Sequence, residues 1–140
     1  MDIQLNQQNI LALQDLLEHD NQKTRQALRD LFKASLFTPR YNISLDEERE
    51  LAYARLKSIC DHKLISVLDF KDNPHRIFSV HEAVGMMDGS AATKMTVQFN
   101  LFGGTILKLG TKAHHDQLLS DIDDLKAVGC FGLTELGCGN

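Results

Sequence analysis

Apolar residues recur at three- and four-residue intervals through most of this chain, and that spacing predicts amphipathic helices. Ile10, Leu13 and Leu17 mark the first, with polar residues between them. Leu28, Leu31, Phe32 and Leu36 mark the second, which starts near Asp20-Asn21, both good caps. Pro39 ends that region, because the residue before a proline disfavours helix. Ser44-Leu45-Asp46-Glu47 fits a capping box and opens a third helix through Ala52, Leu56, Ile59 and Leu64. Asp72-Asn73-Pro74 punctuates the loop after it. Ile77, Val80, Val84 and Met87 define a fourth helix, which Asp88-Gly89 stops and after which Ser90 can cap the next.

Met95, Phe99, Phe102, Ile106 and Leu109 define a fifth helix, with Val97 and Leu101 adding to the stripe. A helix apolar on more than one face is expected at the centre of a core. Gly103-Gly104 lies inside it, and each glycine costs about 1 kcal/mol relative to alanine. Such a cost implies a gain, either close helix packing or close approach of a ligand, and packing is the simpler choice. Gly110-Thr111 closes this helix and caps a sixth, with Leu118, Ile122 and Leu125 on its apolar side. Six helices with short loops predict a mainly α fold, an antiparallel helical bundle.

The pattern then changes. Residues 129–136 form a short apolar run with a Thr-Glu pair, followed by Gly137 and Gly139. This predicts a strand running into a glycine turn, the opening element of a second, β-rich domain. The expected organisation is a helical domain at 1–128 and the first strand and turn of an incomplete β-domain at 129–140.

A chain of 140 residues with 43% hydrophobic and 24% charged residues has the make-up of a globular domain with a core. Its net charge of −4 argues against nucleic acid as the main partner. No stretch approaches the roughly 18 apolar residues of a membrane span. The start Met1-Asp2-Ile3-Gln4 is polar and acidic, unlike a secretory signal, and suggests an intracellular protein. Cys60, Cys130 and Cys138 have no metal spacing and read as incidental thiols.

Candidate chemistry is sparse. His114-His115 are adjacent and point apart on a helix, a poor geometry for one metal. His81-Glu82 reads as a surface or interhelix hydrogen-bonding pair on the polar side of its helix. Asp121, Asp123 and Asp124 lack the glycine and terminal glutamate of a calcium loop, which leaves a solvated loop. Thr134 differs by its setting. A hydroxyl at a strand end beside glycines can hydrogen-bond a flat ligand, or simply belong to a strand and turn.

Phe131-Gly132-Leu133-Thr134-Glu135-Leu136-Gly137-Cys138-Gly139 resembles the strand motif of flavin-dependent acyl-CoA oxidases and dehydrogenases. The oxidase form of that motif reads Cys-Phe-Ala-Leu-Thr-Glu-Leu-Gly-His-Gly-Ser. His81-Glu82-Ala83-Val84-Gly85, Asp88-x-Ser90, Phe102-Gly103-Gly104-Thr105-Ile106 and Leu109-Gly110-Thr111-x-x-His114 are similar to the same family's helical segments. The motifs run in order from about residue 75 onward and lie closer to the oxidase branch. The resemblance implies an N-terminal helical domain plus the start of a middle β-domain, with FAD held between the β-domain and a C-terminal helical bundle. It implies a homodimeric enzyme that desaturates fatty acyl-CoA at the 2,3 position. A glutamate removes the α-proton while hydride passes to the flavin.

Carried over residue by residue, Thr134 matches the threonine that contacts the flavin ring, and Gly137 and Gly139 match the turn after it. Cys138 and Asn140 depart from the usual histidine and serine or threonine. The family's glutamate base lies in the C-terminal domain, so no glutamate here takes that role and the 140-residue chain alone is expected to be inactive. The implied partners are fatty acyl-CoA and the remaining domains; the implied compartment is the peroxisome in a eukaryote or the cytoplasm in a bacterium. The alternative is a stand-alone helical interaction module without catalysis.

Overall fold

The structure, a computed structural model, describes residues 6–137. Helix α1 (Gln7–Leu17) begins at Asn6, whose side chain accepts from the Gln8 N–H at 3.1 Å. Helix α2 (Gln22–Leu31) follows Asn21, which holds a left-handed conformation at φ 47°. A 3-10 turn at Ser35–Phe37 takes Leu36 out of that helix and buries Phe37. The anticipated capping box opens α3 (Leu45–Asp61). The Glu47 N–H donates to Ser44 Oγ at 3.3 Å, and the Ser44 N–H donates to the Glu47 carboxylate at 3.0 Å. Leu64 lies past the end of α3, after Lys63 turns the chain at φ 54°.

A single turn, α4 (Asp69–Asp72), precedes α5 (Pro74–Met87). Pro74 therefore starts a helix rather than only breaking one, since its missing N–H costs nothing at the first helical position. Asp88, not Ser90, caps α6 (Gly89–Met95): its Oδ1 accepts from the N–H groups of Ser90 at 2.8 Å and Ala91 at 3.2 Å. The short Asp side chain already fills the cap position, so Ser90 is free to donate to Glu48 at 2.8 Å.

The backbone continues without a break through a π-helical stretch, Thr96–Gly103, into α7 (Gly104–Leu109). These three pieces form one rod. Helix α8 (Lys112–Asp123) then folds back on α7 and the π-helical stretch. Packing of α3 on α6, α2 on α5 and α5 on α6 completes the core. Leu28, Leu56, Ile59, Val80, Met95 and Phe99 are its centre, each with 2% exposure or less. Each fully buried side chain of this kind contributes roughly 1.5–3 kcal/mol.

Two helical stripes do not go where their spacing suggests. The apolar positions of α1 stay outside the core, with Leu13 55% and Leu17 60% exposed. Glu18, the C-cap that follows it, pairs with Arg29 of α2, so a polar contact holds that end. The rod is central only in its first half. Leu109, the last residue of the expected stripe, is 80% exposed.

Two arginines organise the bundle. Arg55 is buried and donates to Leu36 O at 2.9 Å, Thr38 O at 2.8 Å and Asp88 at 2.7 Å, tying the 3-10 turn and the α6 cap to α3. Burial acts to raise the Asp88 pKa, but the hydrogen bonds from Arg55 and from the Ala91 and Ser90 N–H groups outweigh it and hold the carboxyl below its ordinary range. Arg25 joins α2 to Asp20 at 3.0 Å and to Glu82 of α5 at 2.9 Å.

Candidate functional site

The π-helical stretch is apolar except for Thr96 and two amides, Gln98 and Asn100, and π turns recur at functional sites. Gln98 is 3% exposed. A buried amide is costly unless its donors and acceptor are engaged. Here Nε2 donates to Ile122 O at 3.1 Å and Ala127 O at 2.8 Å, while Oε1 accepts from the Gly129 N–H at 3.2 Å. One side chain therefore holds the end of α8 and the chain that leaves it.

Two glycines let the backbones approach. A Cβ at Gly103 would lie 2.6 Å from Val67 Cγ2 and 3.3 Å from Ile122 Cγ2. Close packing thus explains Gly103 but not Gly104, where a Cβ would meet only Phe99 O at 3.6 Å. A Cβ at Gly129 would lie 2.1 Å from the Phe102 ring, so the exit backbone lies against that ring. Asp123 braces the same corner, accepting from Ser66 Oγ at 2.5 Å and the Val67 N–H at 2.8 Å. The acidic cluster is therefore partly a structural anchor rather than a solvated loop: burial raises the Asp123 pKa, against the lowering effect of those two hydrogen bonds. Asp124 pairs instead with Lys63 and Lys126, and these contacts lower its carboxyl to about 2.

Beyond Gly129 the chain is exposed. Phe131 is 41%, Leu133 73% and Leu136 107% exposed, and Thr134 is exposed among them. The strand expected at 129–136 is not formed: 128–134 are irregular, Glu135 makes an isolated bridge, and Leu136–Gly137 turn, with Gly137 at φ 89°. A strand is a property of a pair, because its N–H and C=O groups must find a neighbouring ladder. Thr134 and Gly137 lie together on this exposed segment, whereas Gly139, Cys138 and Asn140 lie outside the described residues.

The remaining sequence candidates are scattered. His81 is half-buried rather than on the surface. Its Nδ1 lies 2.8 Å from Ile77 O, and burial lowers its pKa. Its neighbour Glu82 makes the interhelix bond to Arg25. His114 Nδ1 accepts from the Thr111 N–H at 3.0 Å, closing the cap of α8, while His115 turns away to Ile106 O at 3.0 Å. Cys60 is buried and its thiol is pushed up to about 12, chiefly by burial; Cys130 is exposed. Among the described residues no three His, Cys, Asp or Glu side chains gather as metal ligands, and no helix is long and apolar enough to cross a membrane. A cavity of about 220 Å³ between α2 and α5 has a floor of Phe32, Ala83 and Met87, but its arginines are already paired with carboxylates.

Gln98 was not singled out by spacing. The available signal was an amide set in an apolar helical run, a position that demands partners.

The chain is 38% identical to the peroxisomal acyl-coenzyme A oxidase 2 of Arabidopsis thaliana over 109 residues, 77% of this chain and 16% of the relative. It is 31% identical to the human peroxisomal acyl-coenzyme A oxidase 3 over 103 residues, 74% of this chain and 15% of the relative. Against the bovine mitochondrial short-chain specific acyl-CoA dehydrogenase it is 27% identical over 130 residues, 89% of this chain and 31% of the relative. The chain thus spans less than a third of the length of each. No family model and no solved structure matches it.

Proposed function

Because the chain belongs to the acyl-CoA oxidase and acyl-CoA dehydrogenase family, we propose that it forms the N-terminal helical part of an FAD-dependent enzyme of fatty acid β-oxidation. That enzyme introduces a trans-2,3 double bond into a fatty acyl-CoA. Residues 1–128 are its helical domain, and residues 129–140 open the β-domain. The supporting observation is the tail. A buried clamp ends at Gly129, and directly after it the chain presents exposed Phe131, Leu133, Thr134 and Leu136.

The residues present fit a flavin. A Cβ at Gly132 or Gly137 would meet nothing within 4 Å, so a flat ring has room to approach the backbone beside the Thr134 hydroxyl. When bound, FAD supplies the hydride acceptor. In this assignment Thr134 hydrogen-bonds the ring edge, Gly137 shapes the turn next to it, and Gly139 belongs to the cofactor-binding set. Phe131, Leu133 and Leu136 exclude water by packing against the rest of the enzyme. The α-proton goes to a glutamate outside residues 1–140, so this chain alone neither oxidises acyl-CoA nor retains FAD. Its partners are fatty acyl-CoA and the remaining domains, in a homodimer. Two of the relatives are named as peroxisomal, which supports that compartment for a eukaryotic source.

A chimera tests this. The matching segment of the Arabidopsis oxidase is replaced by this chain, and flavin content and acyl-CoA-dependent bleaching of the flavin are measured. The chimera is expected to retain both, and Thr134→Val to weaken flavin retention. A folded chimera without flavin, or oxidation of acyl-CoA by the 140-residue chain alone, refutes the proposal.

A further inference from the structure

Gln98 joins backbone groups from two places: the last turn of α8, through Ile122 O, and the exit segment, through Ala127 O and the Gly129 N–H. Phe102, four residues further along the rod, supports the same exit from beneath, with its ring where a Gly129 side chain would be. Both contacts end at residue 129. Thr134 follows after five residues, at most about 17 Å of chain. The direction of the backbone at Gly129 therefore sets the region that Thr134 can reach.

We propose that Gln98 and Phe102 form a clamp that sets the direction in which the Thr134 segment leaves the helical domain. Gln98 is then a positioning residue for the Thr134 hydroxyl, a role toward the flavin that rests on the function proposed above. The chemistry of the amide suits this task. Two N–H donors take two carbonyls and one oxygen takes an N–H, a pattern that no apolar residue of the same length reproduces. Glutamate reproduces none of the donation when ionised and only half of it when protonated, because a carboxyl group has a single proton to donate to either Ile122 O or Ala127 O.

The test uses the 140-residue chain, weakly aligned, with residual dipolar couplings measured for the amides from Phe131 to Glu135. In Gln98→Met these couplings are expected to fall to about half or less as the segment gains internal motion, while those of α3 and α5 are retained. Val84→Ala, a core variant on α5 that takes no part in the Gln98 hydrogen bonds, is expected to lower Tm and leave the couplings intact. Gln98→Glu is expected to behave like Gln98→Met at neutral pH and to recover part of the couplings as acid protonates the buried carboxyl, which then donates to one of the two carbonyls. If Gln98→Met does not fold, Gly129→Ala replaces it, since the added Cβ collides with the Phe102 ring and must shift the same couplings.

Unchanged couplings in Gln98→Met or Gly129→Ala, an equal loss in Val84→Ala, or a pH-independent Gln98→Glu overturns the clamp. In the chimera, Gln98→Met is expected to weaken flavin retention roughly tenfold, comparable to losing one hydrogen bond. A chimera that binds no flavin with Gln98 intact refutes the flavin reading alone, and the couplings still decide the clamp.

Discussion

The adjacent glycines Gly103 and Gly104 should respond in opposite directions to alanine. In both, alanine removes the helical penalty of glycine, a gain of about 1 kcal/mol. At Gly103 the new methyl falls 2.6 Å from Val67 Cγ2, 3.2 Å from Gln98 O and 3.3 Å from Ile122 Cγ2. Val67 and Ile122 are both 0% exposed, so neither can swing into solvent to make room. Overpacking of this kind costs about 1–3 kcal/mol, which leaves Gly103→Ala less stable by up to about 2 kcal/mol. At Gly104 the methyl meets only Phe99 O, at 3.6 Å, an ordinary contact. Gly104→Ala should therefore be more stable by about 0.5–1 kcal/mol. Urea unfolding followed by circular dichroism resolves both, and in thermal scans each kcal/mol moves Tm by about 3–5 °C for a chain of this size. Removing the obstructing methyls with Val67→Ala should recover about 1 kcal/mol in the Gly103→Ala background beyond additivity. The reasoning fails if Gly103→Ala is as stable as the parent, or if Gly104→Ala loses as much as its neighbour.

Arg55→Met should destabilise the chain by roughly 3–5 kcal/mol, because it strands Asp88, whose side chain is only 11% exposed, and deprives Leu36 O and Thr38 O of their donor; denaturant titration measures it. Asp88 and Asp123 should give opposite pH dependences. The Asp88 pKa lies below its ordinary 3.8, so its contribution is present above that value and is lost as pH falls through the folded pKa. The Asp123 pKa lies above 3.8, so its contribution is fullest below 3.8 and is lost as pH rises through the folded pKa. Stability measured from pH 3 to 7 should therefore show Asp123→Asn gaining on the parent and Asp88→Asn falling behind it as pH rises. At pH 8, iodoacetamide should alkylate exposed Cys130 readily and leave Cys60 unmodified until the chain unfolds, as peptide mass spectrometry would show.

The helical regions were legible because each signal was local. The Ser44–Glu47 box lies within one turn, and the 3-4 spacing of Ile77, Val80 and Val84 marks a face that the fold buries. Where the sequence misled, two adjacent groups competed for one task. Asp88 displaced Ser90 as the cap because it sits two positions earlier, accepts from the Ser90 and Ala91 N–H groups and is fixed there by Arg55. The proposed site was legible only as a motif. Thr134 stood out beside its glycines, but the clamp behind it did not, since Gln98, Ile122 and Gly129 meet only after α8 folds back on the rod.

The sequence by itself determined that this chain is helical through most of its length, where a glycine pair interrupts its most apolar helix, and which family its last motif resembles. Those properties follow from short-range periodicity, caps and residue types. Only the tertiary structure decided which glycine is a packing requirement, which aspartate is an anchor, and whether an apolar stripe is core. Leu17 and Leu28 carry similar sequence signals, yet one is 60% exposed and the other 0%. Burial belongs to the whole assembly of elements. The strand predicted at 129–136 makes the same point: its ladder depends on a neighbour that no local pattern can supply.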